Sequence, residues 1–190
     1  MKHAELRQHI LQTASNLFYT NGFNSTGINE IISASDIAKA TLYSHFSSKD
    51  ELCLAYLQTK NESFLLDISN FCEVRPNGAP QIMAIFDYLL TLYTKPNFNG
   101  CWNVNTLAEL APENEIIRKE IKKQKTYFIT FLKTVLLSNF PILDKPSASK
   151  LARKIYLLFE SAWVESNVHK AKWPIMNSKE MCATFFEYEQ

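Results

Sequence analysis

The chain has 190 residues, 46% of them hydrophobic, enough to bury a core in one domain or two small ones. No apolar run approaches the ~18–20 residues of a membrane span. Residues Met1 to Leu6 lead straight into an amphipathic pattern with no leader-like block, so the expected location is the cytoplasm. Twenty basic residues face nineteen acidic ones, and the first fifty residues also balance: Lys2, Arg7, Lys39 and Lys49 against Glu5, Glu30, Asp36 and Asp50. A surplus of cations would have pointed to nucleic acid; charge is silent here.

Apolar residues recur at spacings of three and four throughout, and no stretch alternates with the period of a strand, so an all-α fold of about nine helices is expected. Leu6, Ile10, Ala14 and Leu17 mark a first helix that stops at Asn21-Gly22, where glycine suits a left-handed turn. Thr26 stands where an N-cap opens a short second helix through Ile28, Ile31 and Ile32. After a break at Ser35-Asp36 comes a third short helix over about 38–45. Ser47 or Ser48 caps a long fourth helix carrying Leu52, Tyr56, Phe64, Ile68 and Phe71, closed by Arg75-Pro76-Asn77-Gly78.

Five more helices are expected at about 80–94, 102–111, 113–139, 147–171 and 177–188. Lys95-Pro96-Asn97, Pro112, the stretch from Pro141 to Pro146, and Trp173-Pro174 separate them. In the 113–139 segment Ile117, Ile121, Phe128, Phe131 and Val135 form an apolar stripe. Arg118, Lys119, Lys122, Lys123 and Lys125 lie off it, as on a solvated face.

Two short helices joined by a tight turn and braced by a third make a helix-turn-helix, whose second member can enter the major groove. Ile28, Ile31, Ile37, Leu42 and Phe46 are expected to face inward. Lys39, Ala40, Thr41, Tyr43, Ser44 and His45 then look outward. Small residues at Ala40 and Ser44 permit close approach to bases; Thr41, Ser44 and His45 offer hydrogen bonds; Tyr43 and Lys49 suit phosphates. The start of the second helix, with Thr26, Gly27 and Asn29, suits another phosphate.

Spacing alone leaves this a generic motif, but residues 7–52 resemble the N-terminal domain of the TetR family of regulators. The matching residues are Arg7, Ile10-Leu11, Ala14, Leu17-Phe18, Gly22-Phe23, Thr26, Ile28, Ile31, Thr41-Leu42-Tyr43, His45-Phe46, Lys49 and Leu52. The block Thr-Leu-Tyr-x-His-Phe-x-x-Lys, Thr41 to Lys49, is the most specific element. The chain departs from the family pattern at Asp36, where glycine is usual in the turn, at Ala38, where serine commonly caps, and at Ala40, where glycine is common. Aspartate tolerates a left-handed backbone, whereas alanine cannot cap, at a cost of about 1 kcal/mol.

The resemblance implies residues 1–50 as a DNA-binding domain and 51–190 as a ligand-sensing and dimerising domain. It also implies a homodimer through 147–188, binding a double-stranded palindromic operator, usually as a repressor. Leu151, Ile155, Leu158, Phe159, Ala162, Met181, Cys182 and Phe185 have spacing that fits either a dimer bundle or the monomer's own core. Gly100-Cys101-x-x-x-Asn105-x-x-x-Glu109 is similar to a pattern in one branch of the family, in which some members respond to electrophiles or oxidants through a cysteine. A predicted helix N-terminus after Gly100 favours a thiolate at Cys101, although an unpaired cysteine also serves as a small core residue.

Tyr56, Phe64, Phe86, Trp102, Asn105, Tyr127, Phe131 and Trp163 are candidate walls of a small-molecule pocket, Asn105 being the polar member on an apolar face. Cys53, Cys72, Cys101 and Cys182 form no CxxC pair and have no histidine at zinc spacing, so reduced thiols are expected and neither a metal nor a cofactor is. No catalytic set is visible: His3, His9, His45 and His169 are scattered, and there is no phosphate loop and no Glu-x-x-His pair. A helical adaptor that binds only protein is the alternative, but it leaves Thr41 to Lys49 unexplained.

Overall fold

The structure is a computed structural model in which residues 3–186 are described. Among the described residues it is all-helical. The elements are α1 (His3–Asn21), α2 (Ile28–Ala34), α3 (Lys39–His45), α4 (Lys49–Glu73), α5 (Ala79–Tyr93), α6 (Trp102–Glu109), α7 (Glu115–Asn139), α8 (Lys145–His169) and α9 (Trp173–Ala183). A 3-10 turn over Thr184–Phe186 follows. The last expected helix reached residue 188, and its final two positions lie outside the described residues.

Local chemistry accounts for most boundaries. α1 ends at Gly22, whose φ of 93° is open to glycine without strain. Asp36 takes φ 51°, so the aspartate does occupy the left-handed turn between α2 and α3. Ser48 Oγ accepts from Glu51 N at 3.0 Å while the Glu51 carboxylate accepts from Ser47 N and Oγ, a reciprocal arrangement that starts α4.

Three boundary expectations need correction. Thr26 is not the N-cap of α2; Gly27 is. The Thr26 side chain is fully buried and its Oγ1 donates to Gly22 O at 2.7 Å, pinning the turn from inside. Pro146 does not precede α8 but sits in its first turn behind an Asp144 cap, which accepts from Ser147 N at 2.6 Å. Trp173-Pro174 likewise opens α9 and does not separate it from α8. Proline costs nothing in a first turn, because the N–H it lacks has no helical partner there.

The chain packs as two compact units: Met1–Glu62 with Trp102–Lys123, and Ser63–Cys101 with Gln124–Gln190. In the first, Ile10, Ala14, Ile31, Leu42, Phe46, Leu52 and Leu57 are fully buried and lock α1 to α4. Its later segment is tied on by Asn114 Nδ2, which donates to Asp50 Oδ2 at 2.9 Å. Arg118 closes the end of α6 by donating to Leu110 O at 2.8 Å.

The second unit is built on α5, α8 and α9 around linked rings. Phe64–Phe128, Phe128–Phe159 and Phe159–Trp163 lie 5.2, 4.9 and 5.5 Å apart between centroids. Gly100 is required here: its φ is 74°, and a Cβ would stand 2.9 Å from Asn167 Nδ2 on α8. Gly100→Ala is expected to lose about 2 kcal/mol of stability, seen as a lower urea midpoint at unchanged slope.

Candidate functional site

α3 presents its side chains as the sequence suggests. Leu42 and Phe46 are buried; Lys39, Ala40, Tyr43 and Ser44 are exposed; Thr41, His45 and Lys49 are half-buried. Ile31 joins the buried set, while Ile28 and Ile37 are only partly covered. Ser44 Oγ donates to Thr41 O at 2.7 Å and is thus engaged within the helix. Ala38 caps α3 with no side-chain bond, leaving the helix's first N–H groups without that partner. Gly27 and Asn29 are exposed at the start of α2, whereas Thr26 is buried and offers its hydroxyl only to its own turn.

Two cation–ring contacts flank this surface. Lys49 Nζ lies 4.4 Å from the Phe23 ring centre, and the Arg7 guanidinium 4.5 Å from that of Phe46. Partial burial lowers the Lys49 pKa, opposed by the charges of Cys53, Asp50 and Glu109. The His45 ring sits 4.1 Å from that of His3. Loss of solvent first, and then the nearby His3 and Arg7, push the His45 pKa below its ordinary value.

The other candidate residues divide between the two units. Tyr56, Trp102 and Asn105 belong to the first. There Tyr56 is buried against Phe18, 5.7 Å between ring centres, and Trp102 is buried, but Asn105 is only half-buried. The buried amide of α6 is Asn103, whose Oδ1 has no hydrogen-bond partner. Helical spacing alone could not rank the two asparagines, because the boundary of α6 decides which one faces inward. Phe64, Phe86, Cys101, Tyr127, Phe131 and Trp163 belong to the second unit. Phe64 and Trp163 meet at 5.4 Å and Phe86 faces Phe159 at 6.1 Å, all buried. Phe131 is half-buried beside Phe128, and Tyr127 is 48% exposed.

Cys101 has company that the sequence did not suggest. Its sulfur is buried and lies 3.2 Å from Lys125 Nζ, and that ammonium also donates to Glu160 Oε2 at 2.5 Å. Burial would lower the Lys125 pKa, but the charges of Cys101 and Glu160 outweigh it and hold the lysine above its ordinary range. Lys125 was expected on a solvated face and is corrected here: only 18% of its side chain is exposed. The basic run on α7 concealed it, since four neighbouring cations made a fifth look unremarkable. Cys53, Cys72 and Cys182 are buried too, and burial pushes each of their pKa values up to about 12, opposed by Lys49 at Cys53 and by Arg75 at Cys72. Cys101 differs in having an ammonium within hydrogen-bonding distance of its sulfur.

Known proteins resemble the chain in this same arrangement. The profile described as "Bacterial regulatory proteins, tetR family" matches residues 10–56, which span the helix-turn-helix and the start of α4. The transcriptional repressor NemR of Escherichia coli is 22% identical over 184 residues, covering 93% of this chain and 92% of that protein. The repressor DhaR of Mycobacterium sp. is 24% identical over 121 residues, 64% of this chain and 60% of its own length. The crystal structure of reduced E. coli NemR superposes with a TM-score of 0.85 over 94% of this chain and 95% of that one, at 20% identity, so the fold is shared along the whole length. The profile match falls on α1 to α4, where α3 turns its polar side outward, and the relatives matched along most of the chain are transcription regulators, which supports a DNA-binding regulator similar to the TetR family.

Proposed function

We propose that the chain is a repressor that binds a palindromic operator as a homodimer and lets go when a thiol-reactive signal modifies Cys101. The observation that carries this reading is the Lys125 ammonium 3.2 Å from the Cys101 sulfur, itself paired with Glu160. A fixed cation beside a sulfur stabilises the thiolate, the form that reacts with electrophiles and oxidants. Because Cys101 is only 2% exposed, the reagent must be small or enter through a local opening. The related NemR structure was determined in a reduced form, which agrees with a redox input of this kind.

DNA contact falls to the exposed side of α3, with Lys39, Ala40, Thr41, Tyr43, Ser44 and His45, joined by Gly27, Asn29 and Lys49. TetR regulators act as dimers, and two-fold symmetry doubles the base pairs that one short helix can read. The pairing surface is assigned to α8 and α9. Of the bundle-like positions, Ile155, Phe159, Ala162 and Cys182 are buried in the chain's own core. Leu157, Val168, Met176 and Met181 are more than half exposed and supply apolar surface for a partner helix pair. Asn105, half-buried in the first unit, remains a candidate ligand contact within this reading.

The test is operator release. N-Ethylmaleimide is expected to weaken wild-type binding to a DNA duplex at least tenfold in a mobility shift, and Cys101→Ser to abolish that response while binding DNA normally. Release that persists in Cys101→Ser overturns the thiol input. Failure of the unmodified protein to bind any genomic fragment at low salt overturns DNA reading altogether.

The histidine pair adds a pH dependence. Desolvation first, then His3 and Arg7, disfavour the charged form of His45 in the free protein, with the Glu51 carboxylate also within the field of Arg7. A nearby phosphate raises the His45 pKa in the complex, so binding takes up a proton. Affinity therefore rises as pH falls from about 8 to about 6 and is flat at higher pH. His45→Gln is expected to flatten the profile; fluorescence anisotropy across that range reads it.

A further inference from the structure

Glu109 closes the pattern that begins at Gly100, and the role of TetR-type regulator leaves it without a task. It is the last residue of α6, yet it reaches the turn between α1 and α2, 85 positions away. Its carboxylate accepts from the backbone N–H of Asn24 at 2.6 Å, and its own backbone oxygen accepts from Asn24 Nδ2 at 2.6 Å. Contact is close enough that a Cβ on Gly22 would stand 2.5 Å from Glu109 Oε1, so a side chain there would have to push the carboxylate aside, while the φ of 93° itself favours glycine. The carboxylate also acts on Lys49, at the start of α4.

What this clamp holds matters. Residues 22–27 aim α2: inside the turn, Thr26 Oγ1 donates to Gly22 O, and its N–H bonds the same oxygen at 3.3 Å. α2 in turn leads into α3 through the left-handed turn at Asp36. The turn is thus gripped from within by Thr26 and from without by Glu109. A charge-assisted bond to a backbone N–H is short and directional, and here the backbone and the side chain of one helical residue are both used. α6 spans about 12 Å and starts at the residue after Cys101. Whatever displaces α6 must therefore move or break the Asn24 contacts.

We propose that Glu109 is the positioning residue that couples α6 to the helix-turn-helix, by clamping the α1–α2 turn through Asn24. The coupling rests on DNA binding alone and holds whatever chemistry moves α6, so it stands apart from the Cys101 reading. Thermodynamic reciprocity makes it measurable without knowing the signal: if α6 biases the DNA-reading helices, bound DNA must stabilise α6.

The experiment is amide hydrogen exchange of α6 in the full chain, free and bound to a duplex selected from random sequences. Wild-type α6 amides are expected to slow about tenfold on DNA binding, within the usual span of coupling energies. Glu109→Ala should lower this DNA-induced slowing to about twofold or less, while Glu109→Gln, which keeps an acceptor for Asn24 N–H, should retain most of it. A residue that merely stabilises α6 would speed exchange in the free protein and leave the DNA-induced ratio intact. That result, or no slowing in the wild type, overturns the proposal. Loss of N-ethylmaleimide response in Cys101→Ser, by contrast, speaks only to where the signal enters.

Discussion

Tyr43→Ala is expected to weaken operator binding about a hundredfold while leaving the melting temperature almost unchanged. Tyr43 lies on the outer side of α3, 43% exposed, between the fully buried Leu42 and the core residue Phe46. Truncation removes little core packing, so the loss falls on DNA contact. A single phosphate or base-edge contact is worth about 1–3 kcal/mol, and a symmetric dimer loses it twice. Anisotropy titration at fixed salt measures the change. The salt slope separates this residue from its neighbours. A neutral phenol releases no counterion, so the slope should hold, whereas Lys49→Gln should make it shallower by about one ion per half-site. A Tyr43→Ala protein that binds like wild type would remove α3 from the groove.

Glu160→Gln is expected to destabilise the fold by about 2–4 kcal/mol. Glu160 Oε2 lies 2.5 Å from Lys125 Nζ, with the side chains 16% and 18% exposed. Removing one partner strands a cation in a poorly solvated place, which costs about 3–5 kcal/mol when burial is complete and less with this residual exposure. Replacing both, as Lys125→Met with Glu160→Leu, should restore most of the loss, because no uncompensated charge remains. Urea unfolding of the three proteins forms the cycle. The lysine pKa is raised in the folded state. Its contribution is therefore complete below its unfolded value and fades only as pH climbs past the folded one, so stability should be level through neutrality. Double and single variants losing equal amounts would argue against a paired charge.

How much of this could be read from residues alone depends on how far each contact reaches along the chain. The helix-turn-helix was legible because it is local: Leu42 and Phe46 point inward by simple periodicity, and Asp36 announces its left-handed turn by residue type. Ala38, whose side chain cannot cap, stands at the N-cap of α3 with no side-chain bond. Proline misled twice, at Pro146 and Pro174, since the same residue that ends a helix is welcome in the first turn of the next.

The input side was another matter. Periodicity names the face a residue occupies but not what covers that face. Lys125 was one of a row of lysines until Cys101, 24 positions before it, and Glu160, 35 after, were brought to its ammonium. Thr26 looked like a cap until its hydroxyl was found folded back on Gly22. On α8 and α9, bundle-like spacing fitted core and partner surface equally well. Only packing shows that Phe159 and Cys182 are buried in the chain's own core while Met181 stays exposed.

By itself, then, the sequence determined the helical class and the recognition helix, because short-range sterics and hydrogen bonding dictate both. Tertiary structure decided which cation meets the cysteine and which carboxylate grips the turn at Asn24. Those pairings join segments that no local rule connects: burial makes the Lys125 charge costly to leave unpaired, whereas Glu109 meets Asn24 at the surface.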